Sequence, residues 1–324
     1  MRTLLLLRGA PGCGKSTWIR DHGLADYALS ADKIRLMYAG PQLMPDGGIM
    51  IDQKNDKQVW KTLFAILEDR MANGEFTVID ATNSKTSDIN RYKKLCDDYK
   101  YRMYCVDMTD LPIEICKQRN SRRDPLLRVP DDAIEKMYAR FETQKIPSGI
   151  TVIKPDELDK VWFHKIDLSN WKAVHHIGDI HGCYAALMEY LNGQGGIKDD
   201  EFYIFLGDYL DRGAEDVETL KLMLELVERP NVFLLEGNHE RHIWDYASGG
   251  TTRSKEFEIH TRQELDDAGF DKRELRQFYR RIGQCAWYDY HGREFLVTHG
   301  GLSAMPPNLT LISTKQLIKG VGAY

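Results

Sequence analysis

Gly9-Ala10-Pro11-Gly12-Cys13-Gly14-Lys15-Ser16 joins a glycine-rich turn to a lysine and a hydroxyl, the residue set that holds a nucleoside triphosphate. Its glycines let backbone N–H groups turn inward around phosphate oxygens, Lys15 neutralises the β/γ oxygens, and Ser16 ligates Mg²⁺, with Thr17 beside it. The second half of the chain carries four further blocks: Gly178-Asp179-Ile180-His181-Gly182, Gly207-Asp208-Tyr209-Leu210-Asp211-Arg212-Gly213, Gly237-Asn238-His239-Glu240 and Thr298-His299-Gly300-Gly301. Asp179, His181, Asp208, Asn238 and His299 are oxygen and imidazole donors suited to Mn²⁺, Fe or Zn rather than Ca²⁺. Asp208 would bridge two such ions, which activate water. His239 would protonate a leaving alkoxide, Asp211 would orient that imidazole, and Arg212 would clamp a phosphate. One half therefore reads as adding a phosphate from ATP, and the other as removing one.

Residues between these blocks narrow the chemistry. Asp32 and Arg35 stand three apart at the start of an expected helix, so a carboxylate and a guanidinium share one face. Asp80 closes an apolar run and is placed to reach the Mg²⁺ shell or to orient an arginine. Arg119, Arg122 and Arg123 recur at helical offsets and point guanidinium groups the same way. Taken singly, each pair or triplet reads as well as a solvated helix face. The triphosphate loop makes a role on phosphate the better reading.

The elements that must carry these residues follow an α/β pattern. In the first half, strands are expected at 3–8, 76–80 and 102–107, and helices at 15–21, 56–72, 85–98, 112–122 and 131–143. The stretch 147–171 reads as a boundary zone, and its apolar patches at 150–153 and 161–166 could add edge strands. In the second half, 175–179, 202–207, 232–236 and 294–298 read as core strands, each running into one of the four blocks, as sites at the carboxyl ends of strands require. The charged segment 253–282 reads as a helical cap over the site. The expected domains are 1–148, a boundary at 149–172, and 173–324.

The 324 residues suffice for two cores, and a net charge of −5 argues against general coating of nucleic acid while allowing a local basic groove. Six scattered cysteines form no metal-binding pair and favour a reducing, cytoplasmic setting. No run of about 18 apolar residues occurs, so no membrane partner is expected. The apolar start at 1–7 is too short for a signal peptide and reads as a buried strand.

Gly9 to Trp18, the Asp32/Arg35 pair, Asp80-Ala81-Thr82-Asn83, Arg119-Asn120-Ser121-Arg122-Arg123, Val129-Pro130 and Met137-Tyr138 together resemble the phage-type polynucleotide 5′-kinases over about the first 145 residues. The resemblance implies transfer of the ATP γ-phosphate to a 5′-hydroxyl of RNA or DNA. On it, Gly9, Gly12, Cys13, Gly14, Lys15, Ser16 and Thr17 hold Mg-ATP, Asp32 is the general base, Arg35 binds the acceptor strand with Asp80 carried over beside it, and Arg119 and Arg123 are lid arginines. Kinases of this type are often homo-oligomers.

The four later blocks resemble the calcineurin-like metallophosphatases from about Val174 onward, and the pairing with a 5′-kinase resembles bacterial and phage end-healing enzymes. That resemblance implies removal of a 3′-phosphate or 2′,3′-cyclic phosphate with Mn²⁺ or Ni²⁺. Broken strand ends would be the substrates, and sealing would need a polynucleotide ligase as partner. The family supplies a further metal histidine beyond the His299 block, whereas here no histidine follows His299, so the expectation is an incomplete second domain. Two alternatives stand beside end healing. One is a small-molecule kinase joined to a protein or dinucleotide-polyphosphate phosphatase. The other is a kinase carrying a non-catalytic phosphoesterase-like module.

Overall fold

The computed structural model describes residues 1–45 and 47–321. The chain forms two compact units: Met1–Phe163 with Asn308–Ser313, and His164–Pro307 with residues 314–321.

The first unit is built on β1 (Thr3–Arg8), whose uninterrupted apolar run is buried on both faces, as a central parallel strand requires. Around it the chain adds α1 (Lys15–Asp21), β2 (Ala28–Ser30), α2 (Ala31–Tyr38), a two-stranded hairpin of β3 (Gln42–Leu43) and β4 (Ile49–Met50), and α3 (Asp56–Ala72). It continues through β5 (Thr77–Asp80), α4 (Thr86–Asp98), β6 (Arg102–Asp107), α5 (Ile113–Ser121), α6 (Asp131–Thr143) and β7 (Thr151–Ile153). The five-stranded sheet has the order β2-β5-β1-β6-β7, and every pairing is parallel. Val59, Leu63, Leu67 and Met71 of α3 recur every four residues and seal one face of the sheet. Pairing of β7 with β6 makes 151–153 an edge strand, as expected, and draws 149–163 into the first unit rather than leaving it a linker. The expected strand at 161–166 does not form: a 3₁₀ turn ends at Val161, and only Ile166 and Asp167 pair.

The second unit contains β8 (Ile166–Asp167), β9 (Val174–Ile177), α7 (Tyr184–Gly193), β10 (Phe202–Phe205), α8 (Asp216–Leu226), β11 (Val232–Leu234) and α9 (Glu240–Ala247). α10 (Arg262–Ala268), α11 (Lys272–Arg281), β12 (Ala286–Tyr290), β13 (Arg293–Val297) and α12 (Thr314–Lys319) complete it. β11-β10-β9 form a parallel sheet with the fully buried β10 at its centre.

The expected core strand at 294–298 belongs elsewhere: β13 pairs antiparallel with β12 in a second sheet of order β13-β12-β8. The physical reason is the turn between them, where His291 and Gly292 both adopt positive φ (51° and 76°), the geometry of a tight hairpin. The segment 253–282 is helical, and its Phe257, Leu265, Leu275, Phe278 and Tyr279 are fully buried in the core of this unit. Among the described residues, no helix is long and apolar enough to cross a membrane.

Candidate active sites

In the first unit the sheet register assembles the site. Leu6 pairs with Ile79 and Ser30 with Asp80, so the loop after β1, the end of β5 and the start of α2 emerge side by side at the carboxyl edge. Gly12 has φ of 84°, and a Cβ there would lie 2.1 Å from the carbonyl oxygen of Cys116, so the loop can pass α5 only as glycine. Lys15 Nζ is held inside the loop by the Gly9 and Ala10 carbonyls, at 2.7 and 2.9 Å. Ser16 Oγ donates to Asp80 Oδ2 at 3.1 Å. Burial lifts the Asp80 carboxyl above its ordinary range, against the opposing pull of Lys15 and of the Ser16 bond. This contact sets Asp80 beside Ser16, in the same cavity as Asp32 and Arg35.

Arg35 Nη1 donates to Asp32 at 2.7 Å, and its other terminal nitrogen bonds Asp56. Two carboxylates thus fix a guanidinium that is largely buried. Pro11 to Thr17, Asp32, Arg35, Asp80, Arg119 and Arg123 all line one cavity of about 1490 Å³. Arg122 does not line it, which separates it from its two neighbours. Met50, Ile51, Trp60 and the turn Leu126-Leu127-Arg128 also line the cavity.

In the second unit Asp179, Asp208 and Asn238 follow β9, β10 and β11 at the same edge of the parallel sheet, and His299 arrives from β13. Asp208 Oδ2 is the hub. It lies 3.7 Å from His181 Nε2, 3.9 Å from His239 Nε2 and 3.4 Å from His299 Nε2. His181 Nδ1 faces the Leu210 carbonyl at 3.1 Å and His299 Nδ1 the Leu206 carbonyl at 2.8 Å. Each imidazole turns Nδ1 to a backbone carbonyl and Nε2 to Asp208, the orientation of a metal ligand.

Asp179, Asp208 and His299 form one ligand cluster, and His181 joins Asp208 and His239 in another. This nitrogen-and-oxygen donor set fits divalent transition ions, which would supply Lewis-acid activation of a phosphoryl group. Burial pushes the Asp208 carboxyl up, but the His299 hydrogen bond and the His239 backbone N–H outweigh it and hold the group at about 2. The same bond lifts His299 to about 9. Asn238 stands exposed at the rim.

His239 Nδ1 meets Asp211 Oδ2 at 2.5 Å, and this bond raises the imidazole above its ordinary value despite its burial. Its Nε2 is left facing the hub, as a proton donor requires. Arg212 Nη1 lies 3.0 Å from His181 Nε2 and reaches the same centre. Non-glycine residues with positive φ gather here: His181, Asp208, Asp211 and Arg212, at 48°, 53°, 71° and 75°. Such strain persists only where the surroundings over-determine the backbone.

Glu240 is one such restraint, and sequence reasoning assigned it no role. Its buried carboxylate accepts the backbone N–H groups of Gly237, Asp208 and Tyr209 at 2.6–2.9 Å, tying two ligand loops together. Its place directly after His239 in the third block was the available signal. Asp216, Thr261 and His242 also surround the Asp211–His239 pair, and no local pattern marks them.

Residues 4–144 match the family model described as an AAA domain, and residues 173–319 match that described as a calcineurin-like phosphoesterase. The asymmetrical bis(5′-nucleosyl)-tetraphosphatase PrpE of Halalkalibacterium halodurans is 28% identical over 39% of this chain and 56% of its own length. Serine/threonine-protein phosphatase PP1-1 of Saccharomyces cerevisiae is 49% identical over 19% of this chain and 21% of its own. The chain thus spans little more than half of the first relative and about a fifth of the second. The solved Pnkp1/Rnl/Hen1 RNA repair complex is similar with a TM-score of 0.36 and 18% identity, over 75% of this chain and 92% of that one. The chain joins an AAA-type P-loop domain to a calcineurin-like phosphoesterase domain.

Proposed function

We propose that the chain heals broken nucleic-acid ends. The first domain phosphorylates a 5′-hydroxyl from Mg-ATP, and the second removes a 3′-phosphate or opens and removes a 2′,3′-cyclic phosphate. The observation that carries the kinase reading is that Asp32 and Arg35 open into the same cavity as the phosphate loop, Asp80, Arg119 and Arg123. Lys15, Arg119 and Arg123 neutralise the triphosphate as charge moves to the β–γ bridge. Ser16 and Asp80 hold Mg²⁺, and Asp32 accepts the proton of the attacking hydroxyl. Arg35, fixed by Asp32 and Asp56, binds the acceptor strand's neighbouring phosphate.

In the second domain Asp179, His181, Asp208, Asn238 and His299 hold the metals, and Arg212 clamps the phosphate. His239, kept protonated by Asp211, gives its Nε2 proton to the leaving oxygen as the P–O bond breaks. A transition ion such as Mn²⁺ suits those ligands. A cytoplasmic setting, a ligase partner and self-association belong to the same reading.

A second reading has specific support. The relatives that match the second domain include a dinucleoside tetraphosphatase and protein phosphatases, which favours hydrolysis of dinucleoside polyphosphates or phosphoproteins by that domain. One experiment separates the two. An oligoribonucleotide with a 5′-hydroxyl and a 3′-phosphate is incubated with the chain, Mg-ATP and Mn²⁺ and weighed by mass spectrometry. Gain of a 5′-phosphate with loss of the 3′-phosphate is expected. An unchanged oligonucleotide alongside rapid cleavage of diadenosine tetraphosphate would sink end healing.

A further inference from the structure

Thr261 ends a π-helical turn, Phe257–Thr261, that runs directly into α10. Turns of this type often mark functional positions, because they displace one residue from the regular helical face. Here Thr261 Oγ1 is carried into the core, 2.6 Å from Asp211 Oδ1 and 2.8 Å from Asp216 Oδ2. All three side chains are buried. Asp216 Oδ1 accepts the Asp211 backbone N–H at 3.0 Å, and Asp211 Oδ2 meets His239 Nδ1 at 2.5 Å.

Asp216, Thr261, Asp211 and His239 therefore stand in a line of three side-chain contacts, each of hydrogen-bond length and each needing one proton. The Thr261 hydroxyl supplies one and the imidazole N–H a second. The third must sit on a carboxyl. On Asp211 it would erase the negative charge beside the imidazole and leave a buried carboxylate farther away. On Asp216 it lets that carboxyl donate to Thr261, which donates to Asp211, which keeps its charge for His239. Coulomb attraction in a buried pocket favours the second arrangement. Burial, reinforced by the Asp211 charge, lifts Asp216 to about 6, the direction this requires.

We infer that Asp216 is a positioning residue for the phosphoesterase reaction: its protonated carboxyl, acting through Thr261, fixes the rotamer and charge of Asp211 and thereby aims His239. The inference rests on His239 being the proton donor.

The test uses the full chain with Mn²⁺ and two esters that differ in their need for a proton. Glycerol 2-phosphate expels an alkoxide, and p-nitrophenyl phosphate expels a stable phenolate. His239→Asn, the control, is expected to slow the alkyl ester by ~10²–10⁴-fold and the aryl ester far less. Thr261→Val and Asp216→Ala should reproduce that split at about tenfold or more on the alkyl ester. Asp216→Asn should stay within about threefold of wild type, because its amide donates to Thr261 and its carbonyl still accepts the Asp211 N–H. Thr261→Ala, which also removes the hydroxyl and should give the same split, serves if the valine variant does not fold. A readout without metal or substrate is the infrared difference between wild type and Asp216→Asn at the pH of the ester assays, which should show a protonated-carboxyl stretch.

Asp216→Asn as damaging as Asp216→Ala, equal slowing of both esters by Thr261→Val, or no such stretch would each overturn the inference. Equal slowing of both esters by His239→Asn would instead remove the proton-donor reading, and the inference with it.

Discussion

Asp32 and Glu240 are both acidic residues at helix starts, yet the molecule uses them in opposite ways. Asp32 is exposed at the cavity wall with one oxygen on Arg35, so its carboxylate is available to an incoming hydroxyl. Asp32→Ala should lower oligonucleotide phosphorylation by ~10²–10⁴-fold with ATP affinity little changed, checked by kcat beside a nucleotide-binding titration. Glu240 is buried and spends both oxygens on three backbone N–H groups. Glu240→Gln must turn an NH₂ toward at least one of those donors. The expected result is a loss of about 1–3 kcal/mol in chemical denaturation, with about 10–100-fold weaker metal binding by calorimetry. Asp32 was legible because its spacing to Arg35 is local. Glu240 was not, since two of its three partners, Asp208 and Tyr209, lie about thirty residues away, and only the folded sheet brings them near.

At the scale of elements, periodicity revealed what packing alone decides and missed what turns decide. The apolar run of β1 and the four-residue repeat of α3 state their burial in the sequence itself. The β12–β13 hairpin depends on two residues with positive φ, and His291 is no strong turn former, so the antiparallel pairing of β13 had no local signal. The start of β10 shows a different device. Glu201 accepts from His175 at 2.8 Å, Lys198 at 3.1 Å and Tyr203 at 3.1 Å, with His175 stacked on Tyr203. The His175 bond, followed by that of Lys198, holds its carboxyl at about 2, below the ordinary 4.5. A depressed carboxyl stabilises the fold above its unfolded value and loses that contribution as pH falls toward the folded one. The Tm advantage of wild type over Glu201→Gln should therefore be full above pH of about 4.5 and fade on acidification toward about 2.

For the whole molecule, the two sites draw on separate units, and among the described residues none lines both. Lys15→Ala should abolish ATP-dependent phosphorylation and leave ester hydrolysis at wild-type rate, with Asp208→Ala giving the reverse. Loss of both activities in either folded variant would contradict separate constellations. Independence in chemistry does not extend to the thread itself. Residues Asn308–Ser313 belong to the first unit, where Leu311 packs into its core, Thr310 Oγ1 accepts the Phe163 N–H at 2.8 Å, and the N-terminal amine reaches the Ile312 carbonyl. Removing this strap, by ending the chain at Phe163 or by Leu311→Asp, should lower the melting temperature of the first unit. On the ribosome the same topology imposes an order. The 144 residues from His164 to Pro307 must be synthesised before that strap exists. At ~5–20 residues per second, the first unit waits roughly 7–30 s for its final piece. Through that interval its exposed seam is open to chaperones, and the second unit in turn waits for α12, which follows the strap.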